Sequence, residues 1–343
     1  MSIEDSMKTI HSEAPTRIDL AGGTLDIPPL YLFHQPALTI NMAIDAKVKV
    51  TISSSDKTTV RSLDQNITAE WQDPSDISWD EHPQLELILR LIKSFNPKEH
   101  LSVDVHSGVP AGSGLGGSSA IAIALTAALT RWFGKEFSND ELVEYAKSIE
   151  TQTVRVPTGY QDYWGAIHGK IHAYEMGLNG KPIVTPLGSD DFHRDLERHA
   201  LLVYTEKTRF SGTNDWELFK NYMEGDKTTI KLFDELRDRA LAMQAALMAE
   251  DITLVAQALN DDWKTRKAML PSMTTPEIET LTDRTFRHGA FGARVCGAGG
   301  GGCTVLLIDP EKRSELMRLI TNEIGMRIIP ATIAPRGVSV ETT

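Results

Sequence analysis

Residues 110–120 read PAGSGLGGSSA, between an alternating apolar run, Leu101 to Val105 (LSVDV), and a run of small apolar residues, Ile121 to Leu129 (IAIALTAAL). This order reads as strand, glycine-rich loop and buried helix, an arrangement that wraps polyphosphate. Glycines at 112, 114, 116 and 117 permit the left-handed backbone of a tight turn and let the main chain approach a ligand closely. The N–H groups so exposed stand at a helix start, where unsatisfied donors and the helix dipole favour anions. Ser118 and Ser119 add hydroxyls in the first helical turn, in reach of a phosphate or its metal. The loop matches neither G-x-x-x-x-G-K-[ST] nor G-x-G-x-x-G with its acidic residue, so neither of those two nucleotide sites is supported. Taken alone, it is as readily an ordinary tight turn.

It does not stand alone. APTRIDLAGGTLD occupies 14–26 and GARVCGAGGGGC occupies 292–303. In order and spacing the three segments resemble the three signature motifs of the GHMP kinases, the superfamily of galactokinase, homoserine kinase, mevalonate kinase and phosphomevalonate kinase. RIDLAGGTLDIPPLY (Arg17 to Tyr31) resembles the R-x-x-x-A-G-G-x-x-D-x-P-P-x-Y segment of D-glycero-D-manno-heptose 7-phosphate kinases and of the L-fucokinase kinase domain. GYQDYWGAIHG (Gly159 to Gly169) resembles their G-x-Q-D-x-x-x-A-x-x-G segment. Thr24 and Leu25 stand where the heptose kinases have Gly-Thr, and Gly117 replaces the first of three serines.

The resemblance implies an α+β chain of the GHMP kinase fold. A domain like ribosomal protein S5 domain 2 is expected over 1–187, with the loop 110–120, and a ferredoxin-like domain over 188–343, with the motif 292–302. It implies ATP and Mg²⁺ as cofactors. Pro110, Gly112, Ser113, Gly114, Leu115, Gly116, Gly117, Ser118 and Ser119 are then the ATP contacts, with Ala111 outside the contact set. Magnesium needs few protein oxygens, and the resemblance assigns it Ser118 and Glu150. On local sequence Glu150 is a solvated charge at a helix end, but its place twelve residues before Asp162 matches the family order.

By the same resemblance Asp162 orients and deprotonates the acceptor hydroxyl, and Arg17 pairs with it. A free carboxylate with a pKa of about 3.9 is a weak base toward a sugar hydroxyl, so proton transfer runs late or the charge itself does most of the work. Arginine does not shuttle protons, which confines Arg17 to electrostatic stabilisation. Gly22, Gly23, Asp26, Arg209, Gly299 and Gly300 are assigned to substrate. Locally, Asp26 reads equally well as a turn residue before Pro28-Pro29, and Arg209 as a surface charge.

Composition sets the frame. The 343 residues suffice for two domains, and a hydrophobic fraction of 41% with 24% charged residues is that of an ordinary globular chain. A formal charge of −12 argues against nucleic-acid binding. No apolar run approaches the ~20 residues of a membrane span. The opening MSIEDSMKTIHSE lacks the basic and apolar regions of a signal peptide, and the two cysteines, Cys296 and Cys303, are too few for a thiolate zinc site. A cytoplasmic enzyme without membrane or nucleic-acid partners is expected, with a homodimer left open.

Hydrophobic periodicity places strands at 47–53, 58–63, 169–176, 200–204, 304–308 and 327–333, and helices near 82–95, from Ser138, over 230–247 and 254–263, and over 312–324. Turn residues cluster at 185–191. Met243, Met248 and Met269 read as core filler. The resulting expectation is an ATP- and Mg²⁺-dependent kinase acting on an anomeric sugar hydroxyl, with D-glycero-D-manno-heptose 7-phosphate first in line. Another sugar such as fucose or galactose, a mevalonate-type alcohol, or an inactive GHMP-fold ligand sensor are the alternatives.

Overall fold

The computed structural model describes residues 8–206 and 212–343. In chain order the first half comprises β1 (Thr9–Ala21), α1 (Leu30–Phe33), β2 (Ala37–Ser54), β3 (Thr58–Ser62), β4 (Ile67–Trp71), α2 (Glu86–Ser94), β5 (Leu101–Ser107), α3 (Gly117–Trp132), α4 (Asn139–Val154), α5 (Gln161–His168), β6 (Ile171–Met176) and β7 (Pro182–Pro186). The second half continues with α6 (Asp190–His199), β8 (Ala200–Tyr204), α7 (Gly212–Met223), α8 (Lys227–Met248), α9 (Ile252–Met269), α10 (Pro276–Phe286), β9 (Ala290–Val295), β10 (Cys303–Ile308), α11 (Arg313–Arg318), β11 (Arg327–Ile329) and β12 (Ser339–Thr342).

Two sheets result. One has eight strands, ordered β12-β1-β2-β5-β3-β4, with β6 pairing the first half of β2 and carrying β7 at its other edge; the second has four, ordered β11-β8-β10-β9. The chain does not divide cleanly at 187, because β12 returns to pair with β1, and Lys170 N–H and Val338 N–H exchange bonds with Ala334 and Ala166 across α5.

The small-residue run after the glycine loop becomes α3, whose residues from Ala122 to Thr130 are all buried. Alanines let the helix approach β1 and β2 closely while β-branched and leucine side chains fill the gaps. Val48, Val50, Ile52, Val103 and Val105 of the sheet share one core with α2, α3, α4 and α5. A second core joins Ile18, Leu38, Ile40 and Met42 to α8, α9 and the smaller sheet, and so fastens the two halves together. Ser138 caps α4 through a complete capping box with Glu141, as the sequence spacing indicates.

Three expectations are corrected. Met248 is 66% exposed, whereas Met243 and Met269 are buried. The helix expected over 312–324 is α-helical only to Arg318 and closes in a wider π turn. The strand expected to run to 333 stops at Ile329, ahead of Pro330, which has no N–H to give a neighbour.

Candidate active site

β1 sets Arg17 and Asp19 two residues apart, opposite Ala43 and Asn41 of β2 and beyond the stretch that β12 covers. Asn41 Nδ2 donates to the Gln161 carbonyl at 2.6 Å and so fixes the start of α5. Asp162, in the first turn of α5, thereby faces Arg17: Nε and Nη2 of the guanidinium both lie 2.7 Å from its Oδ1. Arg17 Nη1 donates to the Gly114 carbonyl, and its backbone N–H to Leu115 at 2.9 Å. One buried cation therefore bridges the glycine loop and the Asp162 carboxylate. Burial alone would lower its pKa, but Asp162 and Asp19 outweigh that and raise it.

The loop has the backbone its glycines imply. Gly112, Gly114 and Gly116 have φ of 70°, 77° and 69°, and Gly116 is the residue from which α3 starts. A side chain at Gly114 would strike the Cys296 carbonyl of the third motif. Gly302 passes equally close to the Ser113 carbonyl, with no more than 2.6 Å for a Cβ, and Cys303 N–H donates to that carbonyl at 2.8 Å. The third motif is thus the backing of the loop.

A cleft of about 330 Å³ runs over these groups. All nine residues from Pro110 to Ser119 assigned to ATP line it, and so do Arg17, Asp162, Glu150, Gly23 and Asp26. Ala111, expected outside, lines it as well. Gly22, Gly299 and Gly300 do not. Gly22 is packed on the Leu38 carbonyl; Gly299 would place a Cβ 2.6 Å from the Met273 carbonyl, to which Gly300 N–H donates. Close backbone packing accounts for Gly22 and Gly299, and a left-handed φ of 77° for Gly300. Arg209 lies outside the described residues.

Glu150 is 4% exposed, so it is no solvated charge. Its carboxylate accepts from Ser118 Oγ and, at 2.9 Å, from Ser119 Oγ, while burial pushes its pKa up. The Tyr163 hydroxyl is buried beside it, and that burial with the neighbouring Glu150 carboxylate raises its pKa. Hard oxygens gathered at a helix start suit magnesium, so Ser118 and Glu150 fit that ion. Asp26 does lie in a turn ahead of the prolines, but its side chain reaches across the cleft to the start of α5. Its Oδ2 accepts the N–H groups of Tyr160 and, at 2.7 Å, Gln161, and burial raises its pKa despite these bonds.

The sequence reading missed a buried charge chain. Arg294 Nη2 meets Asp19 at 2.7 Å and its Nε meets Asp262 at 2.6 Å; Arg266 Nε reaches the same Asp262 oxygen at 3.1 Å. Asp19 also accepts Gly297 N–H at 2.8 Å, and Asp262 accepts Gly22 N–H at 3.2 Å. Burial would raise the Asp19 pKa, but Arg294 and Arg17 lower it. Asp262 and Arg266, four apart on a helix, and an arginine inside the apolar β9 were the available signals. Asp215, half-buried at the start of α7, was also missed; burial pushes its pKa up to about 6, against the pull of Arg266.

Comparison with known proteins agrees with this geometry. Residues 85–170 match the model of the GHMP kinases N terminal domain and residues 243–322 that of the GHMP kinases C terminal region. The D-glycero-alpha-D-manno-heptose 7-phosphate kinase of Campylobacter jejuni is 28% identical over 93% of this chain and 95% of its own. A mevalonate kinase of Thermococcus sibiricus is 25% identical over 75% of this chain and 74% of its own. The crystal structure of a D-glycero-D-manno-heptose 1-phosphate kinase from Bacteriodes thetaiotaomicron superposes with a TM-score of 0.79 at 21% identity, covering 97% of this chain and 98% of that one. Among the described residues no helix is long and apolar enough to cross a membrane. The chain belongs to the GHMP kinase superfamily, whose members are ATP-dependent phosphotransferases, and has its α+β fold.

Proposed function

We propose that this kinase phosphorylates a sugar hydroxyl, with D-glycero-D-manno-heptose 7-phosphate the first acceptor to test and the anomeric oxygen the site of transfer. The observation that carries it is the Arg17 bridge between the Gly114 carbonyl and Asp162. It sets the phosphate loop and the acceptor carboxylate at the two ends of one guanidinium.

In this reading the N–H groups of residues 112–119 hold the nucleotide phosphates, and the base lies toward the apolar end of the cleft at Leu87, Ile121, Val154 and Pro157. Ser118 and Glu150 would hold magnesium, which when bound neutralises phosphate charge. The acceptor oxygen forms its bond to the γ-phosphorus as the bond from that phosphorus to the β-phosphate oxygen breaks. The hydroxyl proton passes to Asp162, and ADP leaves. Arg17 stabilises the charge spread over the transferring group and keeps Asp162 oriented.

The acceptor side of the cleft carries Asp26, Asp162 and Asp215 with Gln161 and Thr24. Such an array accepts hydrogen bonds from the several hydroxyls of a polyol, which is what favours a sugar as the acceptor. An ATP-consumption screen over heptoses, hexoses, their terminal phosphates and mevalonate, with the product located by phosphorus NMR, tests the proposal. A phosphate on an anomeric oxygen is expected. Asp162→Asn should then lower kcat by about 10²- to 10⁴-fold with ATP affinity unchanged. Turnover of mevalonate alone would overturn the sugar reading, and ATP binding with no turnover on any acceptor would favour a sensor.

A further inference from the structure

Thr24 has φ of 81°, a left-handed conformation that glycine adopts freely and a β-branched residue adopts only when its surroundings hold it there. What the side chain gains by staying is a contact with the second half of the chain. Its Oγ1 donates to Asp215 Oδ1 at 3.1 Å, from the loop after β1 to the first turn of α7. Both residues line the cleft, on the side of Asp26 and Asp162.

The neighbouring groups are spoken for. Arg266 is tied to Asp262 and to the Gly23 carbonyl, Asp26 to the start of α5, and Asp162 to Arg17. Gln161 Oε1, in the same wall, is buried with no hydrogen-bond partner among the described residues, an acceptor left for a donor that the protein does not supply. Burial that raises the Asp215 pKa marks a carboxylate short of compensating donors.

We propose that Asp215, braced by Thr24, is a specificity-determining residue that accepts a hydrogen bond from a hydroxyl of the acceptor other than the one phosphorylated, with Gln161 Oε1 as its companion acceptor. The proposal rests on the sugar-kinase reading and adds to it the residue from the second half that discriminates among polyols. Neither Asp215 nor Thr24 touches the transferring group, so the pair acts on substrate choice.

The test uses whichever sugar the wild-type protein accepts, together with its singly deoxygenated analogues, against wild type, Asp215→Ala, Asp215→Asn and Thr24→Gly. Wild type should disfavour one analogue by about 10- to 100-fold in kcat/KM, the scale of a hydrogen bond to a charged acceptor. Asp215→Ala should lose that factor on the parent sugar and keep the analogue's rate, so discrimination falls to within about threefold. Asp215→Asn, which keeps shape and one acceptor oxygen, should fall between. Thr24→Gly, which relieves the backbone and frees the carboxylate, should raise the sugar KM with kcat and ATP affinity unchanged. Discrimination preserved in Asp215→Ala or in Asp215→Asn, with equal losses on parent and analogues, would show a structural role and overturn the proposal. A wild-type protein that accepts no sugar would instead overturn the reading beneath it.

Discussion

Gly116→Ala separates the geometry of transfer from the stability of the loop. The position has φ of 69°, and a Cβ there would lie 3.3 Å from Arg17 Cγ, 3.4 Å from Arg17 Nε and 3.4 Å from Asp162 Oδ2. Forcing alanine into left-handed backbone costs about 1–2 kcal/mol. The methyl group also presses on the Arg17–Asp162 pair, where only a few tenths of an ångström of yielding is needed to admit it. Misplacing reacting groups by about 1 Å costs on the order of 100-fold in rate, so a smaller shift predicts a loss of kcat of roughly 10-fold. Gly134→Ala is the control: its φ is 62°, yet a Cβ there meets nothing within 4 Å. Both variants should show the same 1–2 kcal/mol loss in denaturant unfolding, and only Gly116→Ala should lose turnover on the accepted sugar. Equal kcat in the two folded variants would refute the claim that transfer takes place beside Gly116.

Glu150→Gln should raise the magnesium concentration for half-maximal rate and leave the sugar KM unchanged, because a hard cation loses an anionic oxygen; an unchanged magnesium titration would remove Glu150 from the metal site. Asp262→Ala strands Arg294 and Arg266, both at most 2% exposed, without their shared carboxylate. Breaking a buried ion pair from one side costs about 3–5 kcal/mol, so a large fall in the urea midpoint is expected, and a loss under 1 kcal/mol would show that water or relaxation rescues the arginines.

That the glycine loop, Arg17 and Asp162 share one cleft was legible in the sequence because each sits in a short motif, whereas Glu150 could be placed there only by its spacing to Asp162. The loop's use of φ near 70° and of a helix start follows from local chemistry. The buried charge chain was not legible. Asp19, Asp262 and Arg294 come from β1, α9 and β9, and although Arg294 in an apolar strand is a signal of burial, nothing in the sequence says which carboxylates it meets. Gly299 shows the opposite case: a Cβ there is excluded by the Met273 carbonyl, a long-range contact that a run of glycines cannot reveal. The Thr24–Asp215 bond likewise spans the two halves, and only the backbone angle at Thr24 exposes its tension.

The return of β12 to β1 governs how the fold is reached. Ile10 pairs with Thr342 and Glu13 with Ser339, contacts between residues more than 300 positions apart. Closing so large a loop carries an entropic penalty that only the finished core can offset, so this pairing comes late in folding. Until then the outer edge of β1 presents unpaired N–H and C=O groups, a template for any other extended chain. A refolding intermediate with the large sheet assembled and β12 undocked is therefore the species most exposed to aggregation, and refolding yield should fall with protein concentration more steeply when residues 339–342 are removed.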